Sequence, residues 1–282
     1  MTTWDGREEP ATPRLGPGDW LRVVGRGVPL GLVVFGGLAL LLLTRLIERP
    51  LCGMRRPVTP YITQGVCRAA FVLLRLPIRH RGTPLRKHGA LVANHTSWLD
   101  IFALNSRMNL YFVSKAEVAG WPGIGWLARA TGTVFIERDR RHAAEQTRIF
   151  EWRLHHGHKL VFFPEGTSTD GMRVLPFKTT LFEAFLNPRI RHEMHLQAVT
   201  IRYQPPGNAP AHFYGWWGNM AFGPHLLKTL AAPRQGAVEL TYHPPVRVDD
   251  FPNRKTLARH LEDQVRGGHG KAHGDRIGES GR

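Results

Sequence analysis

No ionisable residue separates Arg26 from Arg45; the 18 residues between them read GVPLGLVVFGGLALLLLT. As a helix that run extends about 27 Å at 1.5 Å per residue, close to the hydrocarbon thickness of a bilayer. A second apolar stretch, Tyr61 to Leu76, carries Arg68 and Arg75, a pattern that predicts an amphipathic helix lying in the membrane interface rather than a second clean span. Together they predict a membrane-docking helical pair within residues 21–78. A secretory signal is a poorer reading: the first run is long, Arg45, Glu48 and Arg49 follow it, and no small-residue cleavage site comes next.

Past residue 78 the apolar runs shorten. Ala90–Asn94, Leu110–Val113, Thr133–Ile136, Leu160–Phe163, Leu196–Tyr203 and Ala237–Tyr242 predict strands, while Arg141–His156 and Arg254–Arg266 have the look of surface helices. Alternation of this kind predicts an α/β domain over residues 79–266, with a central, mostly parallel or mixed sheet flanked by helices. Residues 1–20 are rich in Pro, Gly and charge and predict a flexible lead-in; the stretch from Gly267 to the end, GGHGKAHGDRIGESGR, reads as a disordered tail.

Charge sharpens the membrane reading. The 282 residues carry 38 Lys and Arg against 22 Asp and Glu, a formal charge of +16, and such an excess favours a polyanion, either nucleic acid or an anionic membrane surface. The apolar pair turns the choice toward the membrane. Basic residues are denser after the first segment (Arg45, Arg49, Arg55, Arg56) than before it (Arg22, Arg26), which predicts that the large domain sits on the cytoplasmic side of the inner membrane. Cys52 and Cys67 have no metal-type spacing and are too few for a disulfide framework.

Polar groups at the ends of apolar strands are where such folds meet their ligands, and three clusters occupy such ends. Asn94-His95 follows Leu91-Val92-Ala93, Glu137-Arg138 follows Val134-Phe135-Ile136, and Pro164-Glu165-Gly166-Thr167 follows Leu160 to Phe163. In the first, His95 precedes Asp100 by five residues. An imidazole can take a proton from an alcohol near neutral pH, and a carboxylate can orient the ring and stabilise the imidazolium. Five residues turn a regular helix by about 500°, so the two side chains meet only if His95 lies in a loop and Thr96 or Ser97 caps a helix carrying Asp100. In the third cluster Pro ends the strand, Gly admits close backbone approach and the hydroxyls can donate to an anion. The Arg138 guanidinium suits a phosphate or carboxylate.

At these three stretches the chain resembles the glycerolipid acyltransferases, the 1-acylglycerol-3-phosphate acyltransferases and their relatives, including lyso-ornithine lipid acyltransferases. His95-Thr96-Ser97-Trp98-Leu99-Asp100 matches the family's His-x4-Asp motif, Gly132 to Arg138 its second block, and Phe163 to Ser168 its third; the likeness covers roughly residues 75 to 245. It implies a glycerol-3-phosphate acyltransferase-like fold, His95 as catalytic base with Asp100 as its partner, and Arg138, Glu165, Gly166 and Thr167 at the acyl acceptor. Lys115 and Lys178 fall at family positions near the acceptor head group or acyl donor. The fourth block departs from the family pattern, with Ala198 where a Pro is usual.

Other motifs fail on context. Gly123-Ile124-Gly125-Trp126-Leu127-Ala128 fits a dinucleotide pattern, but Trp121-Pro122 stands where a strand should run. No nucleophile elbow is present. His192-Glu193-Met194-His195 is one residue short of zinc-protease spacing. Tyr214, Trp216 and Trp217 fit an interfacial aromatic cluster better than a nucleic-acid stacking platform. The expectation is a membrane-bound O-acyltransferase with no metal or resident cofactor, taking its acyl group from acyl carrier protein or coenzyme A. Its first acceptor candidate is 1-acyl-sn-glycerol 3-phosphate, giving phosphatidic acid; the alternative is lyso-ornithine lipid, and a rival of another class is a non-catalytic lipid-binding protein. The sequence leaves oligomeric state open.

Overall fold

A computed structural model describes residues 3–11, 14–136 and 143–274. Helix α1 runs over Pro17–Cys52, with Pro17 at its first turn, where a missing N–H costs nothing. Its 36 residues extend about 54 Å, and it is long and apolar enough to cross a membrane. The apolar run alone marks only the middle of this helix, because its polar ends have tertiary tasks. Arg22 donates to the carbonyl of Ala231, and Arg26 to those of Leu230 and Ala232, so both satisfy orphan carbonyls at the end of helix α6 (Phe222–Ala231). At the other end, the buried Glu48 carboxylate accepts from the Val58 and Thr59 amides and the Thr59 hydroxyl. That caps α2 (Thr59–Leu74). One face of α1 leaves Leu21, Val24, Val28, Leu32 and Phe35 exposed, while others pack along α2 and α6.

The sheet contains β1 (Ile78–Arg81), β2 (Gly89–Ala93), β3 (Tyr111–Lys115), β4 (Val134–Ile136), β5 (Leu160–Phe162), β6 (His195–Gln204), β7 (Ala237–Tyr242) and β8 (Val246–Arg247). Its order is β1-β7-β6-β2-β5-β3-β4, with β8 paired to β6. The strands from β6 to β4 run parallel, whereas β7 and β8 are antiparallel to β6. This is the mixed sheet the pattern predicts. The strands it did not predict are β1, an edge strand reading Ile-Arg-His-Arg, and the two-residue β8; neither has enough apolar positions to leave a period.

Two cores fill the faces. On one side α1, α2, α3 (Leu99–Asn105) and α6 cover Leu91, Val161, Val199 and Leu240, and α4 (Ile124–Thr131) packs against α1. On the other, α5 (Ala143–His155), a 3-10 helix at Thr179–Leu186 and α7 (Arg254–Gly274) cover Val92, Phe162 and Ala198. Ala198, the departure from the family pattern, is thus a buried strand residue, in register with Val92. Helix α7 continues past Arg266 through glycines that normally break a helix. A Cβ at Gly268 would collide with Thr200 of β6, so glycine here serves close helix-to-strand packing.

Candidate active site

At the end of β2 the Asn94 side chain prolongs the strand ladder: its amide donates to the Ile201 carbonyl and its oxygen accepts from the Ile201 amide, at 2.9 and 2.8 Å. The chain then leaves the sheet, and His95 is the first residue past that lock. Its ring lies against Phe163, 4.0 Å between centroids and nearly parallel. Its backbone is held on both sides. The His95 amide donates to Glu165 Oε1 at 2.7 Å, and its carbonyl accepts from the Thr169 amide at 3.0 Å.

His95 and Asp100 meet, as the loop-then-helix argument requires, at 2.8 Å from Nδ1 to Oδ2. The capping is reciprocal: Ser97 Oγ accepts from the amide of Leu99, the first residue of α3, at 3.4 Å. Asp100, in the first turn of α3, reaches back so that Oδ2 also accepts from the Thr96 and Ser97 amides, at 2.8 and 3.0 Å. Its other oxygen accepts from the Tyr203 hydroxyl at 2.7 Å. Four donors on a fully buried carboxylate fix its direction. A carboxylate only accepts, so the hydrogen of a neutral His95 ring sits on Nδ1 and Nε2 is the basic atom. The ring is partly exposed, its side chain at 18%, so a substrate hydroxyl can reach it.

Glu165 departs from the acceptor-binding role expected of it. It is 2% exposed, with one oxygen taken by the His95 amide and the other by the Leu175 amide at 2.7 Å. Burial pushes its carboxyl up to about 8, against the lowering effect of those two amides. Glu165 therefore holds the His95 backbone from behind rather than facing a ligand. Gly166 turns with φ +72°, and a Cβ there would lie 2.6 Å from Lys178 Nζ; the glycine admits that ammonium over the turn. Thr167 is half-buried at the same turn. Lys115 ends β3, two strands from β2 on the same sheet edge. Arg138 lies outside the described residues.

Four features escaped the sequence reading. Tyr203 is 103 residues from Asp100, and nothing local marks it. His225, on α6, accepts from Trp98 Nε1 at 3.0 Å and donates from Nε2 to the Gly215 carbonyl at 2.9 Å; burial holds its pKa down to about 3, so it stays neutral as a strut. The Trp216 amide donates to the Thr96 carbonyl at 2.9 Å, which ties the aromatic cluster to the His95 loop. The stretch expected to be a flexible lead-in lies against the third cluster: Arg7 pairs with buried Asp170 at 3.4 Å and donates to His212, and the Arg7 carbonyl accepts from Trp217 Nε1 at 3.1 Å.

The arrangement is a partly exposed base oriented by a buried carboxylate. It suits direct transfer to a bound hydroxyl. Residues 78–202 match the family model described as Acyltransferase. A lyso-ornithine lipid O-acyltransferase of Rhodobacter capsulatus is 55% identical over 250 residues, 89% of this chain and 91% of that protein. A Pseudomonas aeruginosa protein of the same name is 34% identical over 242 residues, 84% of this chain and 89% of that one. A 1-acyl-sn-glycerol-3-phosphate acyltransferase of Neisseria gonorrhoeae is 38% identical over 125 residues, 44% of this chain and 48% of that protein. The fold matches the crystal structure of the 1-acyl-sn-glycerophosphate (LPA) acyltransferase PlsC from Thermotoga maritima, with a TM-score of 0.58 at 20% identity over 88% of this chain and 97% of that one. With the His95–Asp100 pair at the edge of a shared fold, and a relative more than half identical along nearly its whole length, this chain belongs to the glycerolipid acyltransferase family, as an acyltransferase acting on lysolipids.

Proposed function

We propose that the acceptor is lyso-ornithine lipid and the product ornithine lipid. The observation that carries this is extent: similarity to the R. capsulatus lyso-ornithine lipid enzyme runs through 89% of the chain, whereas the N. gonorrhoeae 1-acylglycerol-3-phosphate enzyme matches only 44%. The first acceptor considered from sequence, 1-acyl-sn-glycerol 3-phosphate, thus gives way to the alternative.

In the mechanism, His95 Nε2 takes the proton of the acceptor hydroxyl as its oxygen attacks the thioester carbonyl of acyl carrier protein or coenzyme A. Asp100 stabilises the imidazolium across Nδ1. Collapse of the tetrahedral intermediate breaks the carbon–sulfur bond, and the imidazolium returns its proton to the departing thiolate; ester and thiol are the products. The active domain works at the cytoplasmic face of the inner membrane, with the α1–α2 pair in the bilayer. Support for that placement is the apolar outer face of α1 and the basic residues after it.

The test is a parallel assay of the purified full-length enzyme with both lysolipids, each with acyl carrier protein and coenzyme A thioesters. Turnover of lyso-ornithine lipid that disappears in His95→Ala, in a protein that still folds, is the expected result. Equal or faster acylation of 1-acyl-sn-glycerol 3-phosphate would return the acceptor to the first reading.

A further inference from the structure

Exposed positions on α2 follow one stripe: Val58 at its N-cap, then Tyr61, Gly65, Arg68, Val72 and, just past its end, Arg75. Where this stripe meets α3, a groove of about 460 Å³ opens, lined by Arg68, Arg75 and Arg107 around Phe71, Val72 and Leu76. None of the residues of the His95 site lines it. Among the described residues, none of the three guanidiniums is in an ion pair. Arg68 donates to the Ser106 carbonyl and Arg107 to His80, which fixes two of the cations in place without neutralising them.

Arg75 adds an independent sign. It is the sole non-glycine residue with positive φ among the described residues, at φ 55° in the left-handed region. Glycine is the usual occupant of such a helix end, and a side chain there costs on the order of 1 kcal/mol. Strain at an exposed, unpaired arginine is the kind that function retains.

We propose that this groove binds the phosphate of an anionic phospholipid. The phosphate would be held among Arg68, Arg75 and Arg107, with the first part of an acyl chain on Phe71, Val72 and Leu76. Charge complementarity selects an anion, since three like charges converge. The apolar floor selects a lipid over a soluble ion. Val72, 75% exposed between two arginines on a helix packed against α1, places the groove beside the face read as meeting the bilayer.

The experiment measures partition of the full-length protein onto vesicles of phosphatidylcholine alone and of phosphatidylcholine with about one-third phosphatidylglycerol. One variant is Arg75→Gly with Arg107→Gln, in which glycine suits the left-handed backbone, so that folding is preserved or improved. The control is Arg189→Gln with Lys255→Gln, two exposed cations on the opposite face of the sheet. Each basic residue at an anionic surface changes partition about fivefold. The groove variant should therefore lose roughly 25-fold of its preference for anionic vesicles, and the control a few-fold at most. Equal losses in both would reduce the effect to net charge and overturn the proposal. So would competition by inorganic phosphate at millimolar concentration, which would make the groove a site for small anions.

Discussion

A single carboxylate organises the chemistry at the residue scale. Asp100 accepts four hydrogen bonds, three on Oδ2 and one from the Tyr203 hydroxyl on Oδ1. In Asp100→Asn the amide can replace Oδ1 and donate to Tyr203, whose hydroxyl can accept, but the imidazolium loses its counter-charge. The expected result is a fall in kcat on the order of 10³–10⁴ with little change in KM, by analogy with triad carboxylates, measured by steady-state assay. Tyr203→Phe removes one of the four donors that set the direction of the Asp100 carboxylate. A drop of about tenfold in kcat with KM little changed is expected, because the His95 ring is then less firmly oriented; an unchanged kcat would assign Tyr203 to packing alone. Glu165 is a stability group. Its pKa is raised to about 8 by burial, so its contribution is full below the unfolded value near 4.5 and is lost as pH rises through about 8. Melting temperature of the wild type should therefore fall from about pH 6 to pH 9, and Glu165→Gln, which cannot ionise, should lose that share of the slope. How legible each role was follows from distance along the chain. His95 and Asp100 are close in sequence, so their contact could be derived as a condition: a loop at His95 leading into a helix that carries Asp100. Glu165 shows its place but not its role, because a Glu-Gly-Thr turn looks the same whether its acid faces a ligand or is buried behind a histidine.

Elements here are joined by charged groups that sequence periodicity does not see. The apolar run of α1 is plain, yet its true ends depend on Arg22 and Arg26 at α6 and on Glu48 at α2, contacts with no local signal. Glu48→Ala leaves the Val58 and Thr59 amides without their acceptor, and a loss of about 2–4 kcal/mol is expected from unsatisfied donors at a buried helix start, read by chemical denaturation in detergent. The lead-in gives the counterpart case. Its composition reads as flexible, and only the fold brings Asp170 and Trp217 to it. Because Asp170 is fully buried while Arg7 and Arg173 both pair with it, the lead-in is tied to the loop whose Thr169 amide holds His95. A double-mutant cycle of Arg7→Ala and Asp170→Asn should return a coupling of roughly 1 kcal/mol, together with a several-fold loss of kcat in Arg7→Ala. Zero coupling would make the pair incidental.

On the scale of the whole molecule, the boundary near residue 79 that the hydropathy pattern suggests is not a boundary in the core. Val23 and Leu30 of α1 and Ala70, Phe71 and Leu74 of α2 are buried in one cluster with Leu91, Leu99, Leu104 and Val199 of the sheet and α3. The sequence could not reveal this, because a residue facing lipid and one facing a protein core are both simply apolar. Removing the helical pair would strip that face of the sheet: at about 1.5–3 kcal/mol for each large buried side chain, the loss is on the order of 10 kcal/mol, as large as the whole stability of an ordinary domain. It would also uncap α6, whose terminal carbonyls rely on Arg22 and Arg26. The α1–α2 pair is then part of the catalytic fold rather than a detachable segment. Residues 79–266 expressed alone should fail to give protected amides in β2 and β6 by hydrogen exchange and should aggregate, while the full chain in detergent protects both strands. A soluble, protected and active fragment would separate the two modules and show that the shared core is dispensable.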